Sequence, residues 1–207
     1  MITTVVFDIG NVLVDFDRIA YLTGLFHDEE TVDRVDHAIF RTGYWDDLDR
    51  GEDTDETFAR MLEAEPGYED QIRQAFDEIG ACTVRCDYAI PWIRALKKRG
   101  LRVLYLSNYS PHTMQSNPGA LDFVPFMDGG IFSCDVRINK PDPAIYRLLI
   151  KKYDLVPEEC IYLDDKQVNV DAAKETGMSG IVFRNYEFTK AELDWEIGKS
   201  KLMAERR

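Results

Sequence analysis

The chain predicts an α/β protein, a doubly wound parallel sheet interrupted early by a helical insertion, and three observations carry that expectation. Short, continuous, β-branched runs recur along its 207 residues, as strands buried on both faces require. Helix-period segments alternate with those runs beyond residue 88, the pattern of parallel strands joined by helical crossovers. Residues 18–88 break the rhythm with acidic, amphipathic, helix-period pieces only.

Taken in order, "TTVVFD" (3–8) is the first strand, followed by "RVLYLSN" (102–108), "GGIFSC" (129–134), "CIYLDD" (160–165) and "GIVF" (180–183). Each is flanked by Gly, Asp, Asn or Pro. "PWIRALKKRG" reads as a helix ending at the Gly100 C-cap signal, and "DPAIYRLLIKKYDL" as one with Pro143 in its first turn. "NVDAAKETGM" reads as a shorter helix closing at Gly177. The insertion contains "IAYLTGLF", "VDRVDHAIFRTGYW", "DETFARMLEA" and "YEDQIRQAFDEIG", with Thr54 or Asp55 as the expected N-cap of the third piece. A last helix is expected to dock through Phe188, Leu193 and Trp195. The division expected is a core of residues 1–17 and 89–207 and a helical unit of residues 18–88.

An apolar content of 45% spread along the chain argues for a folded core. A net charge of −13 excludes a general nucleic-acid or anionic-membrane binder, because phosphate backbones are held by basic surfaces. A phosphorylated ligand would therefore need a local positive centre, a metal or a lysine. No run approaches the length of a membrane span and no signal peptide is recognisable, so the cytoplasm is the expected location. The cysteines (Cys82, Cys86, Cys134, Cys160) and histidines (His27, His37, His112) lack metal-ligand spacing and read as packing or surface residues.

Ligands of such sheets bind where strand carboxyl ends converge. There the chain carries Asp8, then Ser107-Asn108, then Lys140 in the loop "DVRINKPDP", then Asp164-Asp165. Singly these are turn and cap residues. The adjacent aspartates are the hardest to explain so, since like charges repel unless a cation relieves them. The ordered set, with "FDIGNVL", "YLSN", "NKPDPAIY" and "IYLDDKQVNVDAAKETGM", resembles the haloacid dehalogenase (HAD) superfamily over nearly the whole chain. The phrase "YWDDLDRGEDTDETFARM" further resembles the branch holding bacterial glucose-1-phosphate phosphatases and the phosphatase domain of epoxide hydrolase.

That resemblance implies a Rossmann-like core with a C1-type cap, and an Mg²⁺-dependent phosphomonoesterase acting on a small phosphorylated metabolite. Asp8 would be the nucleophile and form an aspartyl-phosphate. Asp8, Asp165 and the Gly10 carbonyl would hold Mg²⁺, with Asp164 close by. Ser107 and Asn108 would bind phosphate oxygens, Lys140 would neutralise the transferring phosphoryl group, and Asn169 would steady the acidic pair. Arg41 and Trp45 read first as cap packing or surface residues; sharing a helical face if that stretch is helical, they are also the first candidates in the cap for substrate specificity. Two rivals stay open: a metal-independent 2-haloacid dehalogenase, and a phosphate-metabolite-binding protein on a degraded scaffold. Both draw on Gly10, which stands where most phosphatases of the superfamily carry a second Asp as acid and base. Asp15 or Asp17 folding back is one expected replacement. A substrate with an easily departing anomeric oxygen, such as glucose 1-phosphate, is the other. The sequence leaves the oligomeric state undetermined.

Overall fold

The computed structural model describes residues 1–205. Five strands form one parallel sheet: β1 (Thr4–Phe7), β4 (Arg102–Ser107), β5 (Gly130–Phe132), β6 (Cys160–Asp164) and β7 (Ser179–Val182), in the order β5-β4-β1-β6-β7. β1 is central, with Phe7 in register with Tyr105 on one side and Leu163 on the other. Its alternation sends Val5 and Phe7 to one face, where they meet Trp92, Ile93 and Phe123. Val6 goes to the opposite face with Tyr146, Leu149 and Tyr162. Helices α6 (Ala89–Lys98), α7 (Pro111–Ser116), α8 (Ser133–Val136), α9 (Pro143–Tyr153), α10 (Gln167–Glu175) and α11 (Tyr186–Glu205) connect or follow these strands. Asp142 caps α9, its carboxylate accepting from the Ala144 amide, with Pro143 at the first helical position.

Between β1 and β4 the chain leaves the sheet. A short ribbon of β2 (Val14–Phe16) and β3 (Thr83–Arg85) pairs antiparallel and spans the exit and the return. Beyond it lie α1 (Arg18–Phe26), α2 (Glu29–Asp36), a π-helical turn at His37–Arg41, α3 (Tyr44–Asp49), α4 (Thr54–Ala64) and α5 (Glu69–Asp77). This layer buries its own apolar cluster, built on Leu22, Ile39, Leu48, Met61, Ile72 and Phe76. The strand at 83–85 falls inside the stretch read from sequence as helical; three residues are too few to show a period. The N-cap of α4 is Asp53 rather than Thr54 or Asp55, its carboxylate accepting from the Glu56 amide. In α11 only part of the expected contact forms: Leu193 is buried, whereas Phe188 and Trp195 are exposed. All four cysteines are free thiols.

The helical layer is pinned to the sheet near its carboxyl edge by main-chain acceptors. Asn139 donates to the Asp46 carbonyl (2.7 Å), Ser133 to that of Asp49, and Arg137 to that of Gly51 (3.0 Å). Gly51 sits at φ +80°, and a Cβ there would lie 2.8 Å from the Cys134 carbonyl oxygen, so the close approach requires glycine. No helix among the described residues is long and apolar enough to cross a membrane.

Candidate active site

Parallel pairing of β1 with both β4 and β6 brings three strand ends side by side, and with them Asp8, Ser107 and Asp164. The Asp8 amide donates to the Leu163 carbonyl (2.8 Å), which locks the turn at this edge. Oδ1 of Asp8 collects three donors: the Ser107 hydroxyl (2.8 Å), the Ile9 amide (2.7 Å) and the Lys140 ammonium (2.8 Å). No donor among the described residues reaches Oδ2, which leaves that oxygen free as a nucleophile or ligand. Burial pushes the Asp8 carboxyl up to about 7, with Lys140 opposing and Asp164 adding to the rise.

Lys140 is almost fully buried and bridges two carboxylates, Asp8 and Asp164 (2.7 Å), while also donating to the Tyr162 hydroxyl (3.0 Å). Burial pulls its ammonium down, but the two carboxylates outweigh that and hold it above its ordinary value. Asp164 is buried and also accepts from the Lys166 amide (2.8 Å), the Asn169 amide (3.0 Å) and the Tyr162 hydroxyl. Burial works against its ionisation, yet Lys140 and these donors keep its carboxyl below the usual carboxylate range. Asn169 thus reaches the acidic pair from the first turn of α10, and does not cap that helix, which starts at Gln167. Asn108 lines the cavity and also fixes the lysine's main chain: its Nδ2 donates to the Lys140 carbonyl (3.1 Å) and its Oδ1 accepts from the Lys140 amide (2.8 Å).

Asp8, Ser107, Asn108, Lys140, Lys166 and Asn169 line a cavity of about 130 Å³ together with Gly10, Asn11, Phe16, Trp45, Asp46, Asp49, Tyr109 and Asp165. Trp45 reaches it from α3, packed against Phe16 and Phe40. Three expected residues do not. Asp15 lies on β2 with its side chain exposed, nearest the Cys86 thiol (3.5 Å), because strand alternation turns Phe16 inward instead. Asp17 caps α1, accepting from the Ala20 amide (2.9 Å). Arg41 pairs with Asp33 (2.6 Å) and Asp36 (3.0 Å) inside the helical layer. Gly43, at φ +89°, separates Arg41 from α3, so Arg41 and Trp45 share no helical face.

A family model for the haloacid dehalogenase-like hydrolases matches residues 2–177. The chain belongs to that family. Among curated relatives of this HAD-like hydrolase, D-ribitol-5-phosphate phosphatase of Bacteroides thetaiotaomicron is 29% identical over 195 residues, covering 86% of this chain and 89% of that protein. Bifunctional epoxide hydrolase 2 of Sus scrofa is 31% identical over 107 residues, which is 50% of this chain but only 19% of that longer protein. A HAD family enzyme of Bacteroides thetaiotaomicron, solved in complex with magnesium and inorganic phosphate, shares the fold at a TM-score of 0.65. It is 18% identical, and the match covers 89% of this chain and 95% of that one.

In this HAD-like hydrolase the carboxylates of Asp8, Asp164 and Asp165 offer oxygens within 4.8 Å of one another. Asp164 is spent on Lys140, whereas Asp165 has no ion pair among the described residues and a single side-chain donor, Asn11 (3.2 Å). Burial, and then the neighbouring Asp164, raise the Asp165 carboxyl. A hard, all-oxygen donor set in which three carboxylates share one lysine ammonium carries excess negative charge and fits Mg²⁺, with Asp8, Asp165 and the Gly10 carbonyl as the residues that would hold it. Asn11, Tyr162, Asp46 and Asp49 are site residues that sequence reading passed over. For Asn11 a signal existed, since a positive φ in a motif-bearing turn favours Asn. Asp46 and Asp49 lie in the acidic run "DDLDRGEDTDE", where nothing in the sequence marks a buried carboxyl.

Proposed function

We propose that this HAD-like hydrolase is an Mg²⁺-dependent phosphomonoesterase acting on a small phosphorylated metabolite, a sugar or polyol phosphate such as glucose 1-phosphate. The observation that carries the reading is Asp8: one carboxylate oxygen is held by three donors, including a buried lysine, while the other is left free at a small polar cavity. Bound Mg²⁺ would supply positive charge between the anionic nucleophile and the anionic phosphate. Asp8 attacks phosphorus and forms an aspartyl-phosphate that water then cleaves. Lys140 stays charged between Asp8 and Asp164 and offsets charge on the phosphoryl oxygens. Ser107 aligns the nucleophile through its hydroxyl and exchanges that bond for a phosphate oxygen. The helical layer of residues 18–88 acts as a cap, and Trp45 with Asp46 sets which small molecule fits. Similarity to a D-ribitol-5-phosphate phosphatase over most of both chains supports the polyol and sugar phosphate class.

The test is a panel of sugar phosphates, polyol phosphates and p-nitrophenyl phosphate, with Mg²⁺ and with chelator, on the wild type and Asp8→Asn. Phosphate release that needs Mg²⁺ and disappears in Asp8→Asn is the expected result. Chloride release from chloroacetate in chelator, without phosphatase activity, would establish the dehalogenase instead. Tight binding of one phosphate compound without turnover of any would establish a binding protein.

A further inference from the structure

Gly10 supplies no side chain to move a proton, and the carboxylates expected to replace it, Asp15 and Asp17, lie outside the cavity. Two carboxyls that line it, Asp46 and Asp49, have no side-chain partner among the described residues, and of the two only Asp49 is buried. Asp49 closes α3, lines the same cavity as Asp8 and is only 6% exposed. Its side chain makes no hydrogen bond to any described residue, although its main-chain carbonyl is held by Ser133. A buried carboxyl without a partner is costly, and polar groups in such places are usually satisfied. Here the residue lines the space a substrate enters, where its carboxyl has no protein partner to compete with a substrate or water.

We propose that Asp49, delivered from the helical layer, is the catalytic acid and base of the reaction. The inference rests on the phosphatase reading above. In the first step Asp8 forms a bond to phosphorus, the bond from phosphorus to the leaving oxygen breaks, and the Asp49 carboxylic acid gives that oxygen its proton. In the second, Asp49 as carboxylate takes a proton from water while the water oxygen bonds phosphorus. The bond to Asp8 breaks, and phosphate leaves with Asp8 and protonated Asp49 restored. One water is consumed per ester cleaved.

The surroundings suit a carboxyl that keeps its proton near neutrality. Burial, and then Asp46 three residues earlier on the same helix, push Asp49 up to about 8; Lys166 and Lys140 oppose this and Asp8 adds to it. A carboxylate in the last turn of a helix also meets the negative end of the helix dipole. The three core donors to the carbonyls of Asp46, Asp49 and Gly51 fix the segment, so the acid is in place only when the helical layer is seated. With its own acid, the enzyme does not depend on the readily departing leaving group that Gly10 alone suggested.

Asp49→Asn keeps the shape and removes the proton. It is compared with wild type in Mg²⁺ on ribitol 5-phosphate, whose alkoxide needs protonation, and on p-nitrophenyl phosphate, whose phenolate departs unaided. The expected result is a kcat/KM loss of ~100-fold or more on ribitol 5-phosphate and under ~10-fold on p-nitrophenyl phosphate. A burst of p-nitrophenol should accompany the slow turnover, because water attack then lacks its base. The ratio between substrates does not depend on how much variant is folded. Equal losses on both substrates, or none, overturn the assignment while leaving the phosphatase reading intact. A wild type inactive on the whole phosphate panel overturns the phosphatase reading and this inference with it.

Discussion

Asp49 has a consequence for folding that needs no substrate. In the unfolded chain its carboxyl ionises near the ordinary 3.8, whereas burial in the native state holds the proton up to about 8. Between those values the folded chain binds one proton more than the unfolded one, so this group's contribution to stability is complete below about pH 4. It is lost as pH rises, until about pH 8. Each pH unit of difference is 1.36 kcal/mol, so from about pH 5 to about pH 8 the loss is about 4 kcal/mol after allowing for half-titration at the top. Asp49→Asn has no proton to lose, while Asp46, Asp8, Lys140 and Lys166 still face the position in both proteins. The stability of the variant relative to wild type should therefore rise by about 4 kcal/mol over that range. With a urea slope of about 2 kcal/mol per molar, the difference in midpoint should move by about 2 M. Urea unfolding of both proteins in chelator, at three or four pH values, measures this directly. A midpoint difference that stays constant with pH would refute the reasoning, because Asp49 would then ionise in the folded protein as it does in the unfolded one.

Three further outcomes follow from the contacts. Lys140→Met leaves Asp8 and Asp164 buried together without their cation, and should cost about 3–5 kcal/mol of stability at neutral pH by urea unfolding, together with phosphatase activity. Gly51→Ala adds about 1–2 kcal/mol of left-handed strain and an overlap with the Cys134 carbonyl, so the segment carrying Asp49 is displaced. Steady-state kinetics should show kcat falling along with any rise in KM. Asp15→Asn should leave kcat within about twofold of wild type, since that exposed carboxylate touches neither the cavity nor Asp8; a larger loss would return Asp15 to the reaction.

The sequence by itself determined the sheet and the polar edge that uses it. Apolar strand runs identify β1, β4, β5, β6 and β7, and in a parallel sheet the residues that follow them must emerge at one edge. Asp8, Ser107, Lys140, Asp164 and Asp165 were legible for that reason. Asn169 was legible too, because one helical turn past the Asp pair returns a side chain to it. Tertiary structure alone decided which carboxylates belong to the site. Strand alternation in β2, a ribbon too short to read as a pattern, turned Asp15 outward and Phe16 inward. Asp49 sits in an acidic run that looks solvated from composition. It is buried where Ser133, Arg137 and Asn139, far along the chain, hold the backbone of α3 and its exit loop against the sheet. Burial is set by such long-range contacts and leaves no local periodicity, so the strand-end machinery could be read from the sequence and the proton carrier could not.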